Sequence, residues 1–464
     1  MSPLRLVVIG GGISGLAAAW FAAEAGYAVT VLEAAPQVGG KLRVEEVAGH
    51  PVDVGAEAVL TVRPEGIALI AAAGLEGERI DPLTTAAQIR AGGANHPLPA
   101  RTMFGIPGSA DAVRESGALS ADGVAAIERE PFLEPLPPLE GDVAVGALVR
   151  SRLGDEVADR LVEPLLGGVY AGRADELSLR ATMAQLAARL AEGGSLVEAA
   201  AAASGGGTRG AGAIFTSLSG GLGRFPLALA GSGRFTVRTG VTVRSIARTP
   251  TGFALTCGAV PVAELVEADA VIVAAPPAKA ARLLADVAPV AATELGAVET
   301  ASMAIVTFAF PTLPTATPAL PGSGLLVGTG ERLVTKAVTL SSQKWPLDAD
   351  GLTLLRASVG RVGETLPLQL EDGELIELVR RELRPLLGID AAPVDARVTR
   401  WGGGLPQYAV GHLDRVARVR SAVASVPGLA VCGAAYDGIG IPACIGSARA
   451  AVDRLRAGVP AGGN

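Results

Sequence analysis

Several shortages bound this chain before any motif is read. Cysteine occurs only at positions 257, 432 and 444 of 464 residues, with no CxxC spacing. A disulfide framework and a thiolate zinc site are therefore not expected, and a reducing cytoplasm fits. The three histidines, His50, His96 and His412, are isolated in the sequence. Packing or capping suits them better than catalysis, and no metal is expected. Aromatic residues make up 3%, too few for an aromatic cage around an amine. Positive charge is not in excess: Lys+Arg 39 against Asp+Glu 46 leaves a net −7. That argues against wholesale nucleic-acid binding but leaves room for a local basic pocket that receives an anion. Long apolar runs are missing except from Leu6 to Ala23, which could pass for a signal peptide or a membrane span. Its glycines at 10, 11, 12 and 15 are a pattern that neither requires. No integral membrane association is expected.

What is present is a hydrophobic fraction of 49%, enough to build cores and exclude global disorder. The length predicts two or three domains. Leu4–Ile9 predicts a buried parallel strand, Ser14–Ala25 a helix stopped by Gly26, and Tyr27–Leu32 a strand ending at Glu33. That unit opens a doubly wound α/β sheet. Between about 100 and 200, proline-rich loops and helical periodicity over Val143–Leu153, Glu156–Leu165 and Leu179–Leu190 predict a helical subdomain. Glu198–Gly212 runs through alanine into glycine and reads as a mobile surface connection. Short strands are predicted at Phe235–Arg238, Val243–Ile246, Phe253–Cys257, Ala270–Ala274, Ala304–Phe310 and Leu352–Val359. A last strand, Gly428–Val431, leads through a glycine-rich turn into a helix.

Gly10-x-Gly12-x-x-Gly15 lies where a strand passes into a helix. Gly10 allows the tight turn, Gly12 leaves room for a pyrophosphate, and Gly15 lets the helix pack on the sheet. The helix N-terminus offers free N–H groups and a positive dipole end. Gly11, Ile13 and Ser14 share that loop, and Glu33 is placed to accept from adenosine ribose hydroxyls. Gly39-Gly40-Lys41, Asp53-Val54-Gly55-Ala56-Glu57 and a C-terminal Gly433 to Pro442 turn before a helix favour FAD over NAD. The far-C-terminal return can place a helix dipole at the flavin pyrimidine end, where negative charge collects on reduction.

With Val271-Ile272-Val273-Ala274-Ala275-Pro276, the head and tail resemble the amine oxidase, phytoene desaturase and protoporphyrinogen oxidase superfamily. Within it, Glu163-Pro164-Leu165-Leu166-Gly167-Gly168-Val169-Tyr170-Ala171-Gly172 looks like a porphyrinogen oxidase signature. So do Lys344-Trp345-Pro346, Arg400-Trp401, Pro406 to His412 and the Tyr436 to Pro442 tail. These motifs span nearly the whole chain in the family's order, and the soluble bacterial branch acting on coproporphyrinogen III is the most similar.

The resemblance implies a Rossmann-like FAD-binding domain (1–85, 211–290 and 401–464), a mixed-sheet substrate domain (86–100 and 291–400) and a helical subdomain (101–210). It implies FAD contacts at Gly10 to Gly15, Glu33, Ala34, Gly40, Lys41, Gly55, Ala56, Glu57, Ala58, Val243, Trp401, Ala434, Ile439, Gly440 and Ile441. Gly168 and Leu326 match positions lining the substrate cavity. It further implies a porphyrinogen substrate, O2 as acceptor, and transient contact with a downstream ferrochelatase. Glu57 departs from the arginine of mitochondrial members, and their cavity arginine falls near Ala87. Propionates must therefore meet other cations: Arg63 first, then Arg90 and Arg356. No side chain is required as a general base. Other readings stay open by residue type alone: a surface lysine at 41, a solvated arginine at 63, core tryptophans at 345 and 401, and a helix end at Gly167-Gly168. An amine or carotenoid oxidoreductase, or a flavoprotein that merely carries porphyrin, would share much of this pattern.

Overall fold

A computed structural model describes residues 2–205, 213–311 and 322–458. The apolar run near the start is the middle strand, Arg5–Ile9, of a parallel five-stranded sheet. Its order is Thr236–Arg238, Ala28–Leu32, Arg5–Ile9, Ala270–Val273, Leu429–Val431. Both faces are covered, which explains unbroken rather than alternating hydrophobicity in these strands. Leu6, Val8, Val29, Val31 and Ile272 pack with the Ile13–Glu24 and Ile441–Gly458 helices. Val7, Ile9, Leu32, Val271 and Val273 face a second core with the Pro277–Leu284, Pro289–Gly296 and His412–Ala424 helices.

A larger mixed sheet runs Asp395–Pro406, Thr300–Pro311, Leu352–Val359, Thr335–Thr339, Gly324–Val327, Gln88–Ala91, Ala94–Pro97. Only the Gly324–Val327 and Gln88–Ala91 pair is parallel in it. Period-2 alternation sends Leu325, Val327, Val338, Ala357 and Val359 into a core with the Asp372–Leu387 helix. That helix starts in a Glu371/Glu374 capping box and stops at Gly388 with φ 72°. Leu326, Ala337, Arg356 and Ser358 alternate with those core residues and belong to the sheet's other face.

The third layer is helical, with Val145, Leu161, Leu166, Leu179, Leu186 and Tyr408 in its core. The Glu156–Leu165 periodicity extends into a helix reaching Tyr170, interrupted by a π turn at Ala158–Val162. Pro164 explains the interruption: it has no N–H, and its ring excludes the carbonyl four residues back. The Leu179–Leu190 pattern divides at Met183 into Leu179–Thr182 and Ala184–Leu190.

One expectation is corrected. Leu196–Gly205 is a helix, so the alanine run from Glu198 is not a mobile connection; residues 206–212 lie outside the described residues. The buried Glu130 carboxylate caps it, accepting from Leu196 N (2.9 Å), Val197 N (3.1 Å) and Ser195 Oγ, while Arg152 neutralises it at 2.7 Å. Low complexity hides such a remote cap.

Candidate active site

The three motif glycines answer different demands. A Cβ on Gly15 would sit 1.8 Å from Gly10 O, and one on Gly10, at φ 111°, would sit 2.7 Å from Ala274 O. Both positions are closed by protein backbone. A Cβ on Gly12 would meet nothing within 4 Å. Gly12 is also the N-cap of the Ile13–Glu24 helix and has no side-chain cap. The N–H groups of Ile13 and Ser14 have no partner within the helix. The second glycine pair borders the same space: Gly39 N donates to Gly11 O at 2.8 Å, and a Gly40 Cβ would lie 3.3 Å from Gly12 Cα. Open volume, unused donors and a positive helix end suit a pyrophosphate.

Glu33 ends its strand beside this loop. One carboxylate oxygen accepts from Gly11 N at 2.5 Å and the other from Ala35 N at 2.7 Å, each keeping a lone pair free for a hydroxyl. Ala34 is exposed next to it. Val241 N donates to Glu33 O (2.9 Å), which brings the strand beginning at Val243 alongside.

Lys41 is not a surface lysine. Its Nζ donates to Gly404 O at 2.5 Å, and burial pulls the ammonium below the usual lysine value. Ala56 N donates to Lys41 O at 3.0 Å, and Trp401 Nε1 donates to Val54 O at 2.9 Å. A Cβ on Gly55 would lie 2.0 Å from Lys41 O and 3.3 Å from the Trp401 ring. Lys41, the Gly55 to Ala58 segment and Trp401 thus form one cluster. Glu57 anchors it, pairing with Lys344 at 2.5 Å and Arg356 at 2.8 Å. Arg356 donates further to Gly55 O and Asp53 O. Asp53 accepts from Leu222 N and Gly223 N, and burial pushes its carboxyl up to about 6.

The tail completes the cleft. Ala434 and Ile439 are half-buried, Gly440 is exposed, and Ile441 opens the last helix. Ile439 packs against the helical layer. Burial raises the Cys444 thiol, so it stays protonated and unreactive.

Gly167 and Gly168 lie within the Glu163–Tyr170 helix, which ends at Ala171 with φ 48°, so they do not terminate it. Gly167 leaves space for Arg361, whose guanidinium would be 2.9 Å from a Cβ. Exposed Gly168 faces Leu326, 3.4 Å from its would-be Cβ. Each nominated cation already has a carboxylate: Arg63 with Glu65 (3.0 Å, exposed), Arg90 with Glu331 (3.3 Å) and Arg356 with Glu57. Arg356 is buried and engaged by Glu57, Asp53 O and Gly55 O.

Sequence reasoning missed the buried Glu163–Arg361 pair at 2.9 Å, separated by 198 positions. Glu163 also accepts from Ala174 N at 2.6 Å, and burial raises its carboxyl. Lys336 and Arg173 flank Glu364 at 2.6 and 3.6 Å, close to where Val362 N meets Ala171 O. No local pattern announces either group; only the folded sheet joins them.

A two-sheet dinucleotide fold with a second glycine turn and a C-terminal return defines a flavoprotein of the amine oxidase type, and the chain belongs to the flavin containing amine oxidoreductase family, whose profile matches residues 13–456. It is an FAD-dependent oxidoreductase. The chain is 38% identical to the coproporphyrinogen III oxidase of Mycobacterium tuberculosis, over 97% of each protein. It is 39% identical to that of Mycobacterium leprae, over 99% of this chain and 100% of the relative, and 32% identical to that of Bacillus subtilis, over 97% of each. A solved structure from Exiguobacterium sp. 255-15, provisionally described as a protoporphyrinogen oxidase, superposes with a TM-score of 0.87 at 32% identity, covering 98% of this chain and 99% of that one.

Proposed function

We propose that the chain oxidises coproporphyrinogen III to coproporphyrin III in haem synthesis, with O2 as acceptor and H2O2 as product. The observation carrying this reading is the near-full-length likeness to coproporphyrinogen III oxidases, 38% identical over 97% of both chains. The macrocycle gives up three hydride–proton pairs in three rounds, each balanced by one O2 becoming one H2O2. Bound FAD supplies the hydride-accepting chemistry.

The protein's own part is holding and shielding. The Ile13 and Ser14 N–H groups would hold the pyrophosphate, and Glu33 with Ala34 the adenosine end. Lys41, Gly55 to Ala58, Trp401, Ala434 and Ile439 to Ile441 would frame the flavin end. Gly168 and Leu326 would shape an apolar wall that orients the macrocycle and excludes water. Arg63 stays our choice for a propionate: its exposed pair with Glu65 is worth little, so exchanging partners costs little. We assign no side chain to proton transfer. We further propose three domains (1–85, 211–290 and 401–464 for FAD; 86–100 and 291–400 for substrate; 101–210 helical), a cytoplasmic location and transient docking to a ferrochelatase. Among the described residues no helix is long and apolar enough to cross a membrane.

The test is kcat/KM for coproporphyrinogen III and protoporphyrinogen IX, followed by porphyrin fluorescence with and without detergent. Coproporphyrinogen should be preferred by a few-fold, because one added propionate contact at a partly solvated site contributes about 0.5–1 kcal/mol. Preference for protoporphyrinogen under both conditions would overturn the substrate assignment and make the chain a protoporphyrinogen oxidase.

A further inference from the structure

The segment from Pro406 to His412 joins the long Asp395–Pro406 strand to the His412–Ala424 helix and touches three parts of the molecule. Gln407 Nε2 donates to Tyr170 O at 2.8 Å, at the end of the Gly168 helix, and Tyr408 O accepts from Ser178 N at 2.8 Å. Two side chains turn the other way, toward the tail. Tyr408 Oη donates to Ala434 O at 2.6 Å, and His412 Nε2 meets Ala435 O at 3.0 Å. The two rings stack 4.1 Å apart at 16°, and Tyr170 leans on Tyr408 at 5.7 Å.

Both rings are buried, 1% and 3% exposed, so these are rigid donors in a dry setting. Burial lowers the His412 imidazole to about 4, so the ring is neutral and Nε2 carries the proton it gives Ala435 O. The tail between Gly433 (φ 138°) and Gly438 (φ 133°) has glycine freedom at each end and neither helix nor strand between, so these contacts fix its shape. A trans peptide places C=O and N–H on opposite edges. Holding Ala434 O therefore turns the Ala435 N–H away from Tyr408. That buried N–H has no partner among the described residues.

We propose that Tyr408 and His412 are positioning residues which, by donating to two successive tail carbonyls, aim the unpartnered Ala435 N–H at the flavin ring. The proposal rests on the reading that the tail lies beside the flavin. Its effect is electrostatic: a fixed donor stabilises charge gathered by the reduced ring, and deleting one such donor outright slows comparable sites about 10²–10³-fold. Misaiming it should slow flavin reduction about tenfold, with KM within twofold.

Tyr408→Phe and His412→Phe keep a ring for stacking and delete one donor each. Val419→Ala, buried in the same helix and in the core that also holds Ala435 and Tyr436, supplies a loss of packing that deletes no hydrogen-bond donor. Holoenzymes are compared by flavin midpoint potential, visible spectrum, anaerobic reduction rate and Tm. The expected result is a lowered potential and slower reduction in both Phe variants, with Val419→Ala shifting only Tm. Loss of FAD from the Phe variants while Val419→Ala retains it counts the same way. Phe variants that lower Tm like Val419→Ala, with wild-type potential and reduction rate, overturn the proposal. The potential is measured with a chemical reductant, so it is judged even if the wild type fails to oxidise porphyrinogens, an outcome that would sink the substrate reading alone.

Discussion

At the scale of single residues, a glycine shared by many dinucleotide folds separates into packing and ligand roles. Gly15→Ala drives a methyl into Gly10 O and should prevent folding, seen as insoluble protein. Gly12→Ala meets no protein atom, and φ −74° is ordinary for alanine. The apo chain should therefore melt as the wild type does while FAD per mole of protein after gel filtration falls at least tenfold; wild-type occupancy would remove the pyrophosphate from this loop. Titration gives a second residue-level expectation. His412 has a folded pKa of about 4 against 6.5 unfolded, so the unfolded chain binds the extra proton as pH falls between these values. Its stabilising contribution is present above pH 6.5 and declines by up to about 3 kcal/mol toward pH 4. Asp53, raised to about 6, acts with the opposite sign: its contribution is present below 3.8 and is lost as pH rises through 6. The wild-type profile mixes the two, so the diagnostic is the difference between wild type and His412→Phe by urea unfolding. That difference should rise with pH from 4 to 6.5; a flat difference would contradict a buried neutral imidazole.

At the scale of elements, the Glu163–Arg361 pair pins the Gly168 helix to the large sheet. Arg361→Met strands a buried carboxylate and should cost about 3–5 kcal/mol, read as a lower urea midpoint at constant m. Adding Glu163→Leu should restore most of it, since the uncompensated charge is then gone; no recovery would mean the loss came from packing around Gly167. The same region shows what a sequence exposes. Strands with two buried faces, such as Arg5–Ile9 and Ala270–Val273, were legible because burial leaves an unbroken apolar run. The glycine turns, Glu33 and the tail were legible because their chemistry fixes residue type and spacing. The Asp395–Pro406 strand was not, since Arg397, Arg400 and Gly402 to Gly404 interrupt any alternation and its order comes from pairing with Thr300–Pro311. Ion pairs were equally hidden: nothing near Glu57 foretells Lys344 and Arg356. The same blindness hid that Arg356 is already paired.

At the scale of the whole molecule, a net charge of −7 faces the four carboxylates of the proposed substrate. The cations nominated for it are each matched by an acid, so these three supply no strong positive field to draw it in. Raising ionic strength from about 0.01 to 0.15 M shortens the screening length from about 30 to 8 Å. kcat/KM for coproporphyrinogen III should then rise, and rise more than for protoporphyrinogen IX. A steep fall would reveal unpaired cations guiding entry. Folding also has an order in time written into the chain. Glu130 is synthesised 66 positions before Leu196, whose N–H it accepts. A ten-residue helix is marginal by itself, so Leu196–Gly205 depends on the cap that Glu130, paired with Arg152, supplies. On the ribosome, Glu130 and Arg152 emerge before the alanine run that they cap, whereas Tyr408 of the same helical core emerges long after it.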